Sequence, residues 1–161
     1  MATTSLKRKN AMAEVSIDAA GPQHVTSVLA LSRTMNEEDG HPLDESGEAA
    51  VRLLCLGDMA ARCWLARHSS GDKAIGYIIL TLGFSIEHGG RDGFIDELYV
   101  IPEMRGFGVA RKLMQIAEEA ARALGVGTLH LEVENRNKDA QALYRKSGWR
   151  DTHRKLLSKK L

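Results

Sequence analysis

Phe94-Ile-Asp-Glu-Leu-Tyr-Val-Ile-Pro-Glu-Met-Arg-Gly-Phe-Gly-Val-Ala110 is the stretch from which the rest of the chain is read. Its first half mixes Ile95, Leu98, Val100 and Ile101 with polar residues, as a strand does. Pro102 has no amide hydrogen and a fixed φ, so an interior strand cannot run past it. Beyond Arg105-Gly-Phe-Gly108, the residues Val109, Leu113, Ile116, Ala117, Ala120 and Leu124 recur at helical spacing. Arg111, Lys112, Gln115, Glu118, Glu119 and Arg122 take the other face. A loop that opens a helix leaves several backbone N–H groups unpartnered and pointing the same way, with the helix dipole behind them. Gly106 and Gly108 let a ligand approach that backbone closely. The stretch therefore predicts a strand, a glycine loop and a helix whose start suits a phosphate.

Two common phosphate loops do not fit. A dinucleotide fingerprint needs a third glycine where Arg111 stands, and a P-loop needs Lys followed by Ser or Thr after its last glycine. The segment Arg105-x-x-Gly108-x-Ala110, preceded by Leu98-Tyr-Val-x-Pro102, resembles instead the coenzyme A loop of the GNAT N-acetyltransferase superfamily. Downstream, Asn137-x-x-Ala140-x-x-Leu143-Tyr144-x-x-x-Gly148-Trp149 resembles the second half of the same signature, in the same order and at the same spacing.

Composition agrees with an ordinary soluble globular protein. The chain has 161 residues, enough for one sizeable core, and 27% are charged. A net charge of +1 gives no electrostatic argument for nucleic acid or membrane as a partner. No apolar run reaches the roughly 20 residues of a membrane helix. Met1–Asn10 is polar and has no apolar core of a secretory signal, so residues 1–13 are expected to be a disordered tail and 14–161 a single domain. Cys55 and Cys63 fall in an apolar helical run and a strand, which predicts reduced core thiols and, by default, a cytoplasmic setting. No Cys or His spacing suits a metal, so none is expected.

Outward from the central stretch, Thr128–Glu134 alternates as a strand, with Leu129, Leu131 and Val133 inward. Asn137 should cap a short helix ending at Gly148, and Trp149–Leu157 alternates weakly as a last strand. Towards the N-terminus, Lys73–Ser85 is apolar on both faces, as a covered central strand would be, with Ile78 and Leu80 on one side and Ile75, Tyr77 and Ile79 on the other. Arg62–Arg67 is its hairpin partner. A helix from Gly21-Pro22 is broken at Asn36–Pro42, and Asp44 caps a second that stops at Gly57. Glu14–Ala19 is the first strand. This order predicts an α/β domain. The resemblance makes it a mixed, mostly antiparallel central sheet flanked by helices, with the fourth and fifth strands splayed apart.

The resemblance also implies a site. Main-chain groups of Leu98, Tyr99 and Val100 would bond the pantetheine arm of acetyl-coenzyme A as an added strand. The amides of Gly106, Phe107, Gly108, Val109, Ala110 and Arg111 would hold the pyrophosphate, with Arg105 at the loop's entrance and Asn137 touching the coenzyme. Tyr144 would protonate the departing thiolate, a role a phenol with an ordinary pKa near 10 can fill at neutral pH. Asp96 and Glu97 are the candidate bases. Neighbours on a strand face opposite ways, so at most one should face the thioester unless a bulge intervenes. They could equally be a solvated edge or ion partners of Arg91. His130 reads as structural, whereas His41 and His88 sit in loops near the expected amine entrance and are candidate proton relays.

The expected activity is direct transfer of acetyl from acetyl-coenzyme A, a co-substrate, to a primary amine. Glu37, Glu38, Asp39, Asp44, Glu45 and Glu48 form an acidic run without Lys or Arg between Asn36 and Val51. Glu37, Glu38 and Asp39, with Asp96, would draw in a small cationic amine. Alternatives are a protein acetyltransferase acting on lysine or N-terminal amines, or a catalytically silent coenzyme-binding module. Many members of the resembled family are homodimers, and Trp149–Leu157 would then contribute to the interface.

Overall fold

The computed structural model describes residues 14–58, 60–70 and 72–160, and the tail expected over 1–13 lies outside them. The chain divides into two units, one ending at Leu131 and one beginning at Glu132. The first holds a five-stranded sheet in the spatial order β1 (Val15–Ala19), β2 (Ala61–His68), β3 (Lys73–Ser85), β4 (Gly90–Val100) and β5 (Thr128–Leu131). The first three pairings are antiparallel and β4–β5 is parallel, as the mixed-sheet expectation required. A parallel neighbour needs a crossover, and α3 (Val109–Ala123) supplies it. Helices α1 (Val25–Glu38) and α2 (Glu45–Leu56) lie between β1 and β2 in the chain.

β3 is the middle strand, and every residue from Ile75 to Leu80 is buried. Its side chains alternate between two layers. Tyr77 and Ile79 join Cys63, Leu65 and Tyr99 against Val28, Leu29 and Leu31 of α1 and Val51 and Cys55 of α2. Ile78 and Leu80 point the other way, the side on which α3 buries Val109, Leu113, Met114 and Ala117. Each fully buried aliphatic side chain here contributes about 1.5–3 kcal/mol, which is why the sheet accepts no register but this one. Both cysteines are free and buried, as expected. No helix among the described residues is long and apolar enough to cross a membrane.

Two features of β4 prepare the site. Ile79 pairs with Glu97 and Leu80 with Ile95, so Asp96 is an extra residue without a partner, a β-bulge. Pairing with β5 stops at Ile95↔Leu131, yet β4 continues to Val100. Its β5-side edge from Asp96 to Val100 therefore carries no strand among the described residues.

Several boundaries differ from expectation. A 3-10 turn at Pro22–His24 precedes α1, and α1 runs on through the predicted break to Glu38. On α3, Met114 and Ala121 are buried and Ile116 and Ala120 only half-buried, so the buried stripe is shifted from the expected one. β5 ends at Leu131, as Glu132 and Glu134 offer no burial to extend it.

The second unit holds one helix, α4 (Lys138–Lys146). The Asn137 side chain caps it by accepting from the Ala140 amide at 3.1 Å, as predicted. The expected strand Trp149–Leu157 does not form. Residues 150–160 are all exposed, and His153 has a φ of 56°, so the weak alternation had no apolar face to bury.

Candidate active site

The glycine loop forms as its composition requires. Pro102–Met104 makes a 3-10 turn, and Gly106 and Gly108 take φ values of 78° and 91°, where a Cβ is disfavoured. Gly108 is the N-cap of α3 and caps it with no side chain. The Lys112 amide is the first to reach back, to the Gly108 carbonyl at 3.1 Å. Among the described residues, no backbone carbonyl pairs with the amides from Gly106 to Arg111. They form a row of donors at the positive end of a fifteen-residue helix. The Lys112 ammonium donates to the Val15 carbonyl at 2.9 Å and fixes the first turn against β1.

The unpaired edge of β4 leads straight into this loop. Leu98, Tyr99 and Val100 lie on it; Arg105 occupies the Val100 carbonyl, and no strand covers the remaining main-chain groups that face the β5 side. The bulge re-aims the two carboxylates on the same strand. Glu97 shares a face with Ile79, looking toward α1, and is half-buried. Its Oε2 accepts from the Tyr77 hydroxyl at 2.6 Å. Asp96, at the bulge, is solvent-exposed. Desolvation raises the pKa of Glu97. For Glu97, bonds from Tyr77, Asn36 and Ser32 oppose the rise and the Asp96 charge adds to it. Neither carboxylate pairs with Arg91, whose guanidinium reaches the Leu124 carbonyl instead at 3.5 Å.

Glu38 proves to be a different kind of carboxylate. It sits at the last residue of α1, not in a loop, and its Oε1 accepts from the Tyr99 hydroxyl at 2.6 Å. Its Oε2 accepts from Arg105 Nη2, also at 2.6 Å. Arg105 in turn donates Nε to the Val100 carbonyl at 2.8 Å and lies 5.4 Å above the Tyr99 ring. The Tyr99 hydroxyl and the guanidinium hold Glu38 below the usual carboxylate range. Burial, with the Glu38 bond second, pushes Tyr99 up to about 12. Glu38 is thus paired within the fold, and Arg105 directs Nε and Nη2 inward. A carboxylate at a helix C-terminus opposes the dipole, and the arginine offsets that cost. Glu37 and Asp39 flank it on exposed positions.

The histidines separate. His88 and His130 stack with ring centroids 4.9 Å apart, and His130 Nε2 is 3.7 Å from Asp92 Oδ2. They gather at the Asp92 end of β4. His41 is exposed just beyond α1. No group of three or more metal-ligating side chains occurs among the described residues.

In the second unit, Tyr144 lies on α4 and its ring stands 6.2 Å from Trp149. Desolvation raises its pKa, so it is a phenol rather than a phenolate at neutral pH. Tyr77 is the functional candidate that sequence reading missed. It alternates with core residues in an apolar strand and reads as packing. The one available signal was its hydroxyl, which a buried position must satisfy.

Against known proteins, the acetyltransferase (GNAT) family model matches residues 28–149. An aminoalkylphosphonate N-acetyltransferase of Salmonella typhimurium is 33% identical over half of this chain and 53% of its own length. An IAA acetyltransferase of Azospirillum brasilense is 33% identical over 70% of this chain and 69% of its own. Against several of its curated relatives the chain spans about half of the relative's length. Among solved structures, an integron cassette protein from the mobile metagenome of Cole Harbour Salt Marsh superposes with a TM-score of 0.77. It shares 30% identity, and the match covers 90% of each chain.

Proposed function

The chain belongs to the acetyltransferase (GNAT) family, and on that premise we propose that it moves acetyl from acetyl-coenzyme A directly to a primary amine, with Glu97 as the base. The observation that carries this reading is the continuity of an unpaired β4 edge with a row of free helix-start amides, beside a carboxylate of raised pKa. The edge suits the pantetheine amides at Leu98, Tyr99 and Val100, and the amides from Gly106 to Arg111 suit the pyrophosphate.

Three carboxylates lie in this region, and their surroundings give them separate roles. Glu38 is held ionised by the Tyr99 hydroxyl and by Arg105 and takes no proton near neutral pH. Glu97 has no cation in ion-pair contact among the described residues, so burial leaves it basic enough to accept one. It takes a proton from R–NH3+ to give R–NH2. The amine lone pair then forms the C–N bond to the thioester carbonyl, the nitrogen gives up its second proton to solvent as the C–S bond breaks and the amide forms, and the thiolate takes up a proton. Tyr144 is the proposed donor, assigned by its place in the family pattern and supported by a pKa that keeps it protonated.

For the acceptor we propose a small cationic amine. With Glu38 neutralised, the supporting charge is that of Glu37 and Asp96. The named relatives include acetyltransferases of aminoalkylphosphonate and thialysine. Thiol release should be followed with acetyl-coenzyme A over a panel of diamines, amino acids and lysyl peptides. Turnover of a small amine that rises in KM with salt supports the reading, because screening over about 8–10 Å weakens such attraction. Turnover of peptides alone overturns the acceptor class, and coenzyme binding without any turnover overturns the enzyme.

A further inference from the structure

A tyrosine in the middle of a covered strand needs a reason. Tyr77 is 0% exposed, and phenylalanine would fill its place in the layer between β3 and α1 without a polar atom. A buried hydroxyl must donate to something, and here it meets the Glu97 carboxylate at 2.6 Å. The hydroxyl also meets the weakly accepting sulfur of Met35 at 3.6 Å and the Ser32 side chain. The bulge at Asp96 turns Glu97 onto this face in the first place.

We propose that Tyr77 is a positioning residue for the base: its hydroxyl, anchored in the core, holds the Glu97 carboxylate in one orientation and stabilises its charged form. The proposal rests on the reading of Glu97 as the base. Among the described residues, the other groups that act on that carboxylate are neutral or acidic. From α1 come Ser32 and Asn36; from β2 the Cys63 thiol, which burial keeps protonated; and from β4 the neighbouring Asp96. Asn36 donates to the Ser32 carbonyl at 2.9 Å, which keeps this turn of α1 in place over the carboxylate. A cation would lock Glu97 as Arg105 locks Glu38. A neutral donor on a rigid strand restrains the geometry and leaves the group able to take a proton.

The sign of the test follows from the bond. Losing the Tyr77 hydroxyl removes a donor that favours the carboxylate, so Glu97 should protonate at higher pH. The acid limb of kcat/KM should move upward on the order of one pH unit in Tyr77→Phe, with most activity recovered above it. Difluorotyrosine at position 77 keeps the fold and donates more strongly, so it should move the limb downward; it serves also if Tyr77→Phe fails to fold. An unmoved limb in both substitutions, or movement of both in one direction, overturns the proposal. Glu97→Gln separates the two levels. If it retains full turnover, the reading of Glu97 as base fails. If it loses turnover while the tyrosine variants leave the limb in place, only the role of Tyr77 fails.

Discussion

Glu38 joins the end of α1 to the end of β4 and to the entrance of the glycine loop, and that joint can be measured. Glu38→Ala leaves the Tyr99 hydroxyl without its acceptor in a residue only 4% exposed, a loss of about 1–3 kcal/mol. The arginine arm contributes less. Its guanidinium side chain is 50% exposed and the carboxylate 38%, and screening at such exposure leaves roughly 0–1 kcal/mol. The sum centres near 2 kcal/mol, which for a chain of this size lowers the Tm by about 4–8 °C. Glu38→Gln keeps an oxygen for Tyr99 and should lose about half as much. Thermal melts of Glu38→Ala, Tyr99→Phe and the double variant form a cycle, and the coupling should be about 1 kcal/mol or more. Additivity within roughly 0.3–0.5 kcal/mol would refute the joint. The pH dependence has a definite sign. The folded-state pKa of Glu38 lies below its ordinary value of 4.5, so its contribution is fully present above that value. It is lost as pH falls through the lower folded value. The Tm gap between the parent and Glu38→Gln should therefore be widest near neutrality and close in acid. Because Arg105 also holds the Val100 carbonyl, Glu38→Gln should raise the KM for acetyl-coenzyme A several-fold, an effect not expected of a residue that only attracts amines.

Gly108→Val forces a branched residue to a φ of 91° at the helix start, costing about 1–2 kcal/mol or more, and sets a side chain over the amides. Calorimetry should show coenzyme A binding weakened at least about tenfold, roughly 1.4 kcal/mol, and equal affinity in a folded variant would remove the loop from the site. Tyr144→Phe should bind coenzyme A normally and lose roughly 10²–10⁴-fold in kcat, the usual size of a general-acid effect; an unchanged single-turnover rate would leave it a packing residue. Gly76→Ala would place a Cβ 2.6 Å from the Tyr99 carbonyl oxygen, so β3 and β4 must part. A loss of about 1–3 kcal/mol should appear in denaturant melts, and a parental midpoint would show that the strands yield freely.

Local chemistry was enough to specify much of this protein. Pro102 had to stop β4, the glycines at 106 and 108 had to open α3, Asp44 and Asn137 had to cap their helices, and the doubly apolar run of β3 had to lie at the centre. Each of these follows from backbone geometry or from periodicity within one element, which a sequence carries in full. The last strand was misread over Trp149–Leu157 because alternation is only a request for a partner, and that segment found no buried face. The roles of the acidic residues needed the fold. Glu37, Glu38 and Asp39 look alike in sequence, yet Arg105, 67 positions away, singles out Glu38. Asp96 and Glu97 are indistinguishable until the bulge opposite Ile79 and Leu80 turns one of them toward Tyr77. Pairings across the sheet decide which carboxylate is neutralised and which is left basic, because a charge responds to the donors within a few ångströms of it rather than to its neighbours in the chain.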